Sequence, residues 1–291
     1  MSLSPVQRLR RFNRAVTTET GLLDQSFLGR GRPLAAARVI NAIGPSGCAV
    51  STIRKRLDLD PAFLSRLLAQ LEEEKLIGLI DDPHDKRKKT ALLTEHGRAE
   101  YEAYEKLSNQ RAERILARHS SPEALLAALD LVASAFARDH IEITEIDPTH
   151  PYAVSCVTQY FTELAARFPQ GFDPAKAAAA GPQDMTPPRG AFFVALSDGL
   201  PLGCVGLKHT TSAYSEVKRL WVAPAARGLG LAKDLMRAVE DHARAADIRL
   251  LRLDTNSALP EAARLYDRLG WTRIARFNDD PYPDIFFEKR L

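Results

Sequence analysis

Cysteine is scarce in this sequence, and its few copies lie far apart. Three cysteines occur among 291 residues, at positions 48, 156 and 204. An odd number at such wide spacing supports neither a disulfide framework nor a cysteine-rich zinc site. The seven histidines are scattered in the same way, without metal-ligand spacing. The pattern indicates a reducing compartment, which we expect to be the cytoplasm, and it predicts no metal.

Long apolar runs are also missing. The sequence contains no run of about 18 apolar residues, the length that a membrane helix needs. Its first residues, MSLSPVQRLRRF, lack the apolar core of a signal peptide. We therefore expect no membrane attachment. At about 150 residues per domain, the length predicts two domains.

Charge of either sign is nearly balanced overall but unevenly distributed. The net charge is +3, yet residues 1–56 hold ten lysines and arginines against only Glu19 and Asp24. Basic charge is thus gathered at one end of the chain.

The first part of the chain predicts helices followed by a hairpin. Apolar spacing predicts helices within 1–43, at Val50–Leu57 and at about 61–75. The last of these has Asp60 as an N-cap and a leucine face, with small and basic residues on its other face. Two short strands then flank a basic, turn-rich tip at 81–89, and two further helices follow to about residue 137.

This order resembles the MarR family of winged helix-turn-helix regulators over about residues 5–138. The resemblance rests on Leu64-Ser65-Arg66-Leu67-Leu68, Leu71-Glu72, Leu76-Ile77, Asp85-Lys86-Arg87 and Leu93-Thr94-Glu95-His96-Gly97. It implies a homodimer built by the N- and C-terminal helices.

A helix with small and basic outward residues can enter a major groove, and a basic hairpin tip can reach phosphates. We therefore expect contacts to double-stranded DNA carrying an inverted repeat. The residues predicted to make them are Ala62, Ser65, Arg66, Arg87 and Lys88. Two alternatives remain: the tip is merely solvated, or the winged helix serves only dimerisation.

A strand pattern at 141–146 opens the second domain, so the predicted domains are 1–140 and 141–291. The following pattern is a helix at 152–168, a loop-rich segment to 189, a hairpin, and a strand ending at Val222. Then come a helix at 230–246, a strand at 248–254, a helix at 260–269, and strands at 271–277 and 284–290.

Residues 227–232, which we name the phosphate loop, follow that strand and precede a helix. Two glycines let the backbone approach a ligand, and the unpaired N–H groups of a first helical turn suit an anion. A Walker A loop would need Gly-Lys-Ser/Thr, and a dinucleotide fingerprint would need a small residue in place of Lys233. The remaining alternative is a turn that binds nothing.

Arg227, Gly230 and Ala232, placed after Leu-Trp-Val, resemble the acyl-CoA pyrophosphate loop of GNAT acetyltransferases. The likeness spans about 141–291 and includes Leu253-Asp254-Thr255-Asn256 and the run from Ala263 to Trp271. It implies an α+β two-domain protein, a mainly α winged helix-turn-helix domain followed by a mixed α/β GNAT domain, with acetyl-CoA as cosubstrate. The predicted cofactor-binding residues are Leu220, Val222, Arg227, Gly228, Leu229, Gly230, Leu231, Ala232, Asn256 and Tyr266.

The resemblance also implies catalytic roles. The Leu220 N–H binds the thioester carbonyl, and the Tyr266 phenol protonates the departing thiolate or is simply a core aromatic. Glu216 acts as a base through water or anchors the substrate ammonium. Because four residues is an even step, we expect Glu216 on the same strand face as Leu220, about 13 Å away. Asn256 either binds pantetheine or caps a loop.

The sequence therefore predicts a transcriptional regulator fused to an N-acetyltransferase that acts on a small amine. Acidic residues within 278–284 could favour a cationic acceptor. The alternative is a transcription factor whose GNAT half only senses acetyl-CoA or a metabolite.

Overall fold

The computed structural model describes residues 4–81, 88–177, 181–210 and 214–291. The chain divides into two units, Met1–Pro122 and Glu123–Leu291. The domain boundary predicted near residue 140 stays a prediction. None of the described helices is both long enough and apolar enough to cross a bilayer.

The N-terminal unit is mainly helical, as predicted. Its helices are α1 (Pro5–Thr20), α2 (Leu34–Ile43), α3 (Val50–Leu57), α4 (Pro61–Glu73) and α5 (Glu95–Ala117). Its strands are β1 (Cys48–Ala49), β2 (Ile77–Asp81) and β3 (Lys89–Leu93), in the sheet order β1-β3-β2. The predicted sequence of helix, turn, helix and hairpin is thus confirmed.

Local signals explain where these helices begin. The Asp60 carboxylate accepts the N–H groups of Ala62 and Phe63 at 2.9 and 3.0 Å, and Pro61 occupies the first turn of α4. The leucine face of α4 is buried at Leu64, Leu67, Leu68 and Leu71. At the start of α5, a Cβ on Gly97 would lie 1.8 Å from the Leu76 carbonyl oxygen, so only glycine fits there.

The C-terminal unit is a mixed α/β fold. Its helices are α6 (which begins at the junction, Pro122–Phe136), α7 (Pro151–Arg167), α8 (Leu231–Ala245) and α9 (Pro260–Arg268). Its strands are β4 (Glu142–Glu145), β5 (Gly190–Ser197), β6 (Leu200–His209), β7 (Ser215–Val222), β8 (Leu250–Thr255), β9 (Thr272–Ile274) and β10 (Ile285–Arg290).

Within the described residues these strands form one sheet in the order β4-β5-β6-β7-β8-β10-β9. Two separate apolar clusters cover it. One contains Leu235 and Val239 of α8 with Phe287 of β10, and the other contains Cys156 of α7 with Phe192 and Trp221. The sheet is therefore a central layer with helices on both faces.

The pairing of β7 with β8 is parallel, whereas the other strand pairs of this sheet are antiparallel within the described residues. It consists of two residue pairs, Ser215 with Leu251 and Glu216 with Arg252. Beyond them the strands separate although β7 continues to Val222 and β8 to Thr255. This separation opens a cleft in the middle of the sheet.

Candidate functional site

A cleft lies where β7 and β8 separate. Strand residues Lys218, Arg219 and Leu220 form one side, and Asp254, Thr255 and Asn256 form the other. Side chains of α7, of α9 and of the segment before β10 complete the lining. The structure thus brings three predicted residues, Leu220, Asn256 and Tyr266, to a single cleft.

A β-bulge interrupts β7 in the middle of the cleft. Gly206 pairs with Lys218 and Cys204 with Trp221, so two steps along β6 face three along β7. The extra residue lies at Arg219, whose backbone has a positive φ of 58°. The register with β6 resumes only at Trp221, which leaves the Leu220 backbone outside the regular ladder.

The bulge overturns one prediction about side-chain faces. Glu216 contacts Lys218 on one face of β7, whereas Leu220 packs with Val217 in the cluster that contains α8. An even step places two residues on the same face only in an unbroken strand. The expectation that Glu216 and Leu220 share a face is therefore wrong, because the extra residue at Arg219 reverses the alternation.

Glu216, Lys218 and Asp254 form what we name the carboxylate–lysine cluster. The Lys218 Nζ lies 2.7 Å from Asp254 Oδ2 and 3.0 Å from Glu216 Oε2. Asn278 Nδ2 donates to the same Asp254 oxygen at 2.6 Å. Burial disfavours the Lys218 charge, but the two carboxylates outweigh it and raise the Lys218 pKa. The lysine therefore stays cationic and fully engaged.

Tyr266 lies on α9 and both lines the cleft and packs in the core. Its ring centroid is 6.2 Å from that of Trp271 and 5.5 Å from that of Phe287. Burial, with smaller contributions from Tyr160 and Asp254, raises the pKa of the phenol well above its usual value. The side chain thus keeps its proton at neutral pH and can donate a hydrogen bond into the cleft.

The phosphate loop has the backbone geometry that its glycines predict. Gly228 and Gly230 both have φ of 81°, a conformation that other residues rarely adopt. The N–H groups of Lys233 and Asp234 bind the Gly230 carbonyl, which begins α8. Among the described residues, no backbone acceptor receives the N–H groups of residues 228–232. Gly228, Leu229, Gly230, Leu231 and Ala232 therefore present a row of donors.

The Arg227 side chain is bound to neighbouring protein groups. Its Nη2 contacts Glu163 Oε2 at 2.5 Å, and its Nε donates to the Val222 carbonyl at 3.1 Å. Burial opposes ionisation of Glu163, but hydrogen bonds from Arg227 and then Trp221 outweigh it and lower the Glu163 pKa. Arg227 thus braces the loop against α7 and the end of β7, and its contact with a cofactor stays a prediction.

Arg138 reaches the phosphate loop from the segment that follows α6. Its Nε donates to the Leu229 carbonyl, and its Nη2 lies 2.7 Å from Asp234 Oδ2. A Cβ placed on Gly230 would lie 3.6 Å from the same Nη2. A guanidinium therefore adjoins the unpaired N–H groups. Sequence reasoning missed Arg138 because nothing in its neighbourhood links it to a loop about ninety residues later.

Asn256 braces the wall of the cleft. Its Nδ2 donates to the Tyr282 carbonyl at 2.5 Å, and its Oδ1 accepts the Ala258 N–H at 2.8 Å. These contacts match the loop-capping alternative, and binding of pantetheine by Asn256 stays a prediction.

Lys218 was not among the site residues predicted from the sequence. Its position two residues after Glu216 was a usable signal, because residues two apart in a strand share a face.

The N-terminal unit carries the predicted DNA-facing residues on the outside of α4. Ala62, Ser65 and Arg66 are exposed there, opposite the buried leucines. The Arg66 guanidinium lies 6.0 Å from the centroid of the Phe63 ring. Lys88 is exposed directly before β3, whereas Arg87 lies outside the described residues. Throughout the described ranges, no group of three or more His, Cys, Asp and Glu side chains is placed to hold a metal.

The chain matches two protein-family models. The model described as "Acetyltransferase (GNAT) family" matches residues 158–271, and the model described as "MarR family" matches residues 30–88. An "IAA acetyltransferase" of Azospirillum brasilense is 36% identical over 114 residues, which cover 38% of this chain and 73% of that protein.

Two further proteins show the extent of the similarity. An uncharacterized N-acetyltransferase of Schizosaccharomyces pombe is 31% identical over 103 residues, which cover 35% of this chain and 63% of that protein. A GNAT-family acetyltransferase structure from Staphylococcus aureus is 18% identical, with a TM-score of 0.46, and the match covers 51% of this chain and 99% of that one. The chain belongs to the GNAT family of acetyltransferases, with a MarR-like region ahead of the acetyltransferase domain.

Proposed function

We propose that the C-terminal unit transfers an acetyl group from acetyl-CoA to the amine of a small molecule. The observation that carries this proposal is the cleft between β7 and β8, with the bulge in β7 and the phosphate loop that follows β7 in the chain. The loop N–H groups bind the diphosphate, with each such helix-end interaction worth about 0.3–1 kcal/mol. The pantetheine chain then runs back along β7 past Val222 to Leu220.

The reaction itself needs a neutral amine, a polarised carbonyl and a proton for the leaving sulfur. The amine nitrogen attacks the thioester carbon, a C–N bond forms, and the C–S bond breaks with its electron pair on sulfur. The Leu220 N–H, outside the regular ladder, stabilises the oxyanion. Tyr266 donates its proton to the departing thiolate and regains one as the attacking nitrogen loses its second proton, or it donates only a hydrogen bond while that second proton passes through water to the sulfur. Glu216 takes the proton of the substrate ammonium through water.

We further propose that the N-terminal unit binds an inverted-repeat duplex as part of a homodimer. The exposed face of α4 supplies base contacts, and Lys88 supplies phosphate contacts. The dimer is supported by apolar side chains left uncovered in one chain. On α6, Leu126, Leu129 and Leu131 are 45%, 45% and 53% exposed, and on α1, Val6 is 67% exposed.

An acetyl-transfer screen over small amines and amino acids tests the enzymatic half. We expect release of CoA thiol that depends on the amine and an acetylated amine identified by mass spectrometry. Binding of acetyl-CoA without transfer to any amine would instead support the alternative in which this unit only senses the ligand. The protonated, cleft-lining Tyr266 favours catalysis over sensing because a sensor has no use for a proton donor.

A random-sequence duplex selection tests the DNA-binding half. We expect half-sites about one helical turn apart, and a protein–DNA complex with two chains. Arg66→Ala should relax sequence preference, whereas Lys88→Ala or Arg87→Ala should weaken binding to all sequences and flatten its salt dependence. Lys176→Ala, which removes an exposed lysine of the C-terminal unit, is the matched control. DNA binding that does not depend on salt, or the absence of binding to every duplex, would overturn the proposal that the N-terminal unit binds DNA.

A further inference from the structure

The cleft has an aromatic wall, formed by Phe161, Phe168, Phe172 and Tyr282. All four side chains line the cleft, and they come from α7, from the segment after it and from the segment before β10. The ring centroids of Phe161 and Phe172 are 5.3 Å apart, and those of Phe172 and Tyr282 are 4.8 Å apart. Phe168 lies 6.0 Å from Phe172 and 5.9 Å from Tyr282. The wall is thus one continuous set of rings.

Hydrogen bonds hold one member of this wall, Tyr282, in place. The Tyr282 hydroxyl accepts the Asp173 N–H at 2.9 Å, and its carbonyl accepts from Asn256 Nδ2 at 2.5 Å. The Tyr282 N–H donates to Asp280 Oδ1 at 3.1 Å. Because its backbone and its hydroxyl are both bound, Tyr282 is preorganised to receive a flat group, which lowers the cost of binding.

The charged side chains that line the polar side of the same cleft are Asp254, Asp280, Lys218 and Arg219. Glu216, which is not a lining residue, contacts Lys218 and adds a third carboxylate beside the cleft. Lys218 already contacts both Glu216 and Asp254, and the Arg219 guanidinium lies 5.5 Å from the centroid of the Phe161 ring. A substrate ammonium fits this balance, whereas a substrate carboxylate would meet engaged cations and an excess of negative charge.

We propose that the acetyl acceptor is a primary arylalkylamine, an aromatic ring joined by a short aliphatic chain to an amine, with no carboxylate of its own. This inference deepens the proposed function and rests on it. The ring packs on the aromatic wall, since stacked or edge-on ring pairs are favoured beyond their buried area. The aliphatic chain places the nitrogen between the carboxylate–lysine cluster and Leu220, where the thioester carbonyl is held.

The test compares three amines with the full-length protein and acetyl-CoA. 2-Phenylethylamine is the probe, n-hexylamine removes the ring, and phenylalanine adds a carboxylate. We expect kcat/KM for 2-phenylethylamine to exceed each of the others about tenfold or more, as ring contacts and charge balance require. Equal values for 2-phenylethylamine and n-hexylamine would overturn the aromatic part, and efficient use of phenylalanine would overturn the charge part.

A pair of variants tests whether the preference for 2-phenylethylamine over n-hexylamine depends on the aromatic wall. Phe172→Leu should lower kcat/KM for 2-phenylethylamine about fivefold, through KM, and leave n-hexylamine unchanged. Phe63→Leu, at an exposed phenylalanine of the N-terminal unit, is the control and should change neither. If Phe172→Leu lowers kcat/KM equally for both amines, the aromatic wall does not recognise the ring of the substrate.

Calorimetry on the CoA-loaded protein separates this inference from the proposed function. If the protein acetylates n-hexylamine as well as 2-phenylethylamine, the aromatic proposal fails and amine acetylation stands. If no amine is acetylated, tighter binding of 2-phenylethylamine than of n-hexylamine supports the aromatic site, whereas equal binding overturns it.

Discussion

The proposed donor and acceptor sites of the C-terminal unit, which we call the phosphate end and the acceptor end, are built in different ways. The phosphate end is one continuous stretch, residues 227–232, in which backbone N–H groups and positive φ angles supply the binding geometry. The acceptor end combines the aromatic wall with the carboxylate–lysine cluster, and its members come from α7, β7, β8 and two loop segments. A backbone site depends on glycine at a few positions. A side-chain site depends on how separate elements pack. Substitutions at the phosphate end should therefore change binding of the acyl donor, and substitutions at the acceptor end should change the kinetics with the amine.

The largest effect is expected at Tyr266, which lines the cleft and is the proposed proton donor. Tyr266→Phe keeps the ring contacts with Trp271 and Phe287 and removes the hydroxyl. Turnover should fall about 10²–10⁴-fold, with little change in acetyl-CoA affinity, if the phenol assists thiolate departure. Single-turnover kinetics and calorimetry provide the two measurements.

The pH dependence of the rate gives a second test of the role of Tyr266. Burial raises the pKa of the phenol above its usual value of 10.0, so the protonated form persists across the neutral range. The parent enzyme should therefore show no loss of rate from Tyr266 ionisation between about pH 6 and pH 9. An unchanged turnover in Tyr266→Phe would leave this residue as a core aromatic only.

Gly230→Asp tests the phosphate end by itself. The variant places a side chain at φ of 81° and a carboxylate beside the unpaired N–H groups. Affinity for acetyl-CoA should fall about 100-fold, from strain and charge repulsion together. Gly270→Asp, at φ of 78° outside the loop, measures the strain alone. Parent-like binding by Gly230→Asp in calorimetry would show that the loop assignment is wrong.

Glu216→Gln tests the acceptor end because it removes a charge without changing shape. If Glu216 draws the ammonium proton through water, turnover should fall about 10–100-fold and the rate should rise with pH until bulk solution deprotonates the amine. If it only anchors the amine, the amine KM should rise and the profile should keep its position. The pH–rate profile decides between these roles, and unchanged kinetics would remove Glu216 from the site.

The smallest effect is expected at Arg138, which adds charge to the phosphate end. Arg138→Ala removes the contacts to the Leu229 carbonyl and to Asp234. Affinity for CoA should fall about threefold to tenfold, as for one partly exposed charge. Binding of S-acetyl-pantetheine, which lacks phosphates, should stay the same. Arg249→Ala, at an exposed arginine paired with Asp247, is the control. An equal loss for both ligands would contradict a phosphate-specific role.

Much of the architecture could be predicted from local sequence. The first and last residues of α3 agree with the predicted helix, and the leucine face of α4 is buried, as its spacing predicts. Strand and helix ends moved by a few residues, as for β9, which is Thr272–Ile274 and shorter than the predicted 271–277. Capping residues, apolar periodicity and glycine turns act between neighbours in the chain, which is why they can be read without a structure.

The sequence by itself determined the two-part order of elements and the phosphate loop, because both depend on contacts within a few residues. The tertiary structure decided the face of Glu216, through an extra residue at Arg219 that no periodicity signals. It also decided that Arg227 would bind Glu163, that Arg138 would reach the loop, and that four rings from distant segments would meet. These contacts depend on how β7, β8 and α7 pack, and long-range packing leaves no local pattern in the chain.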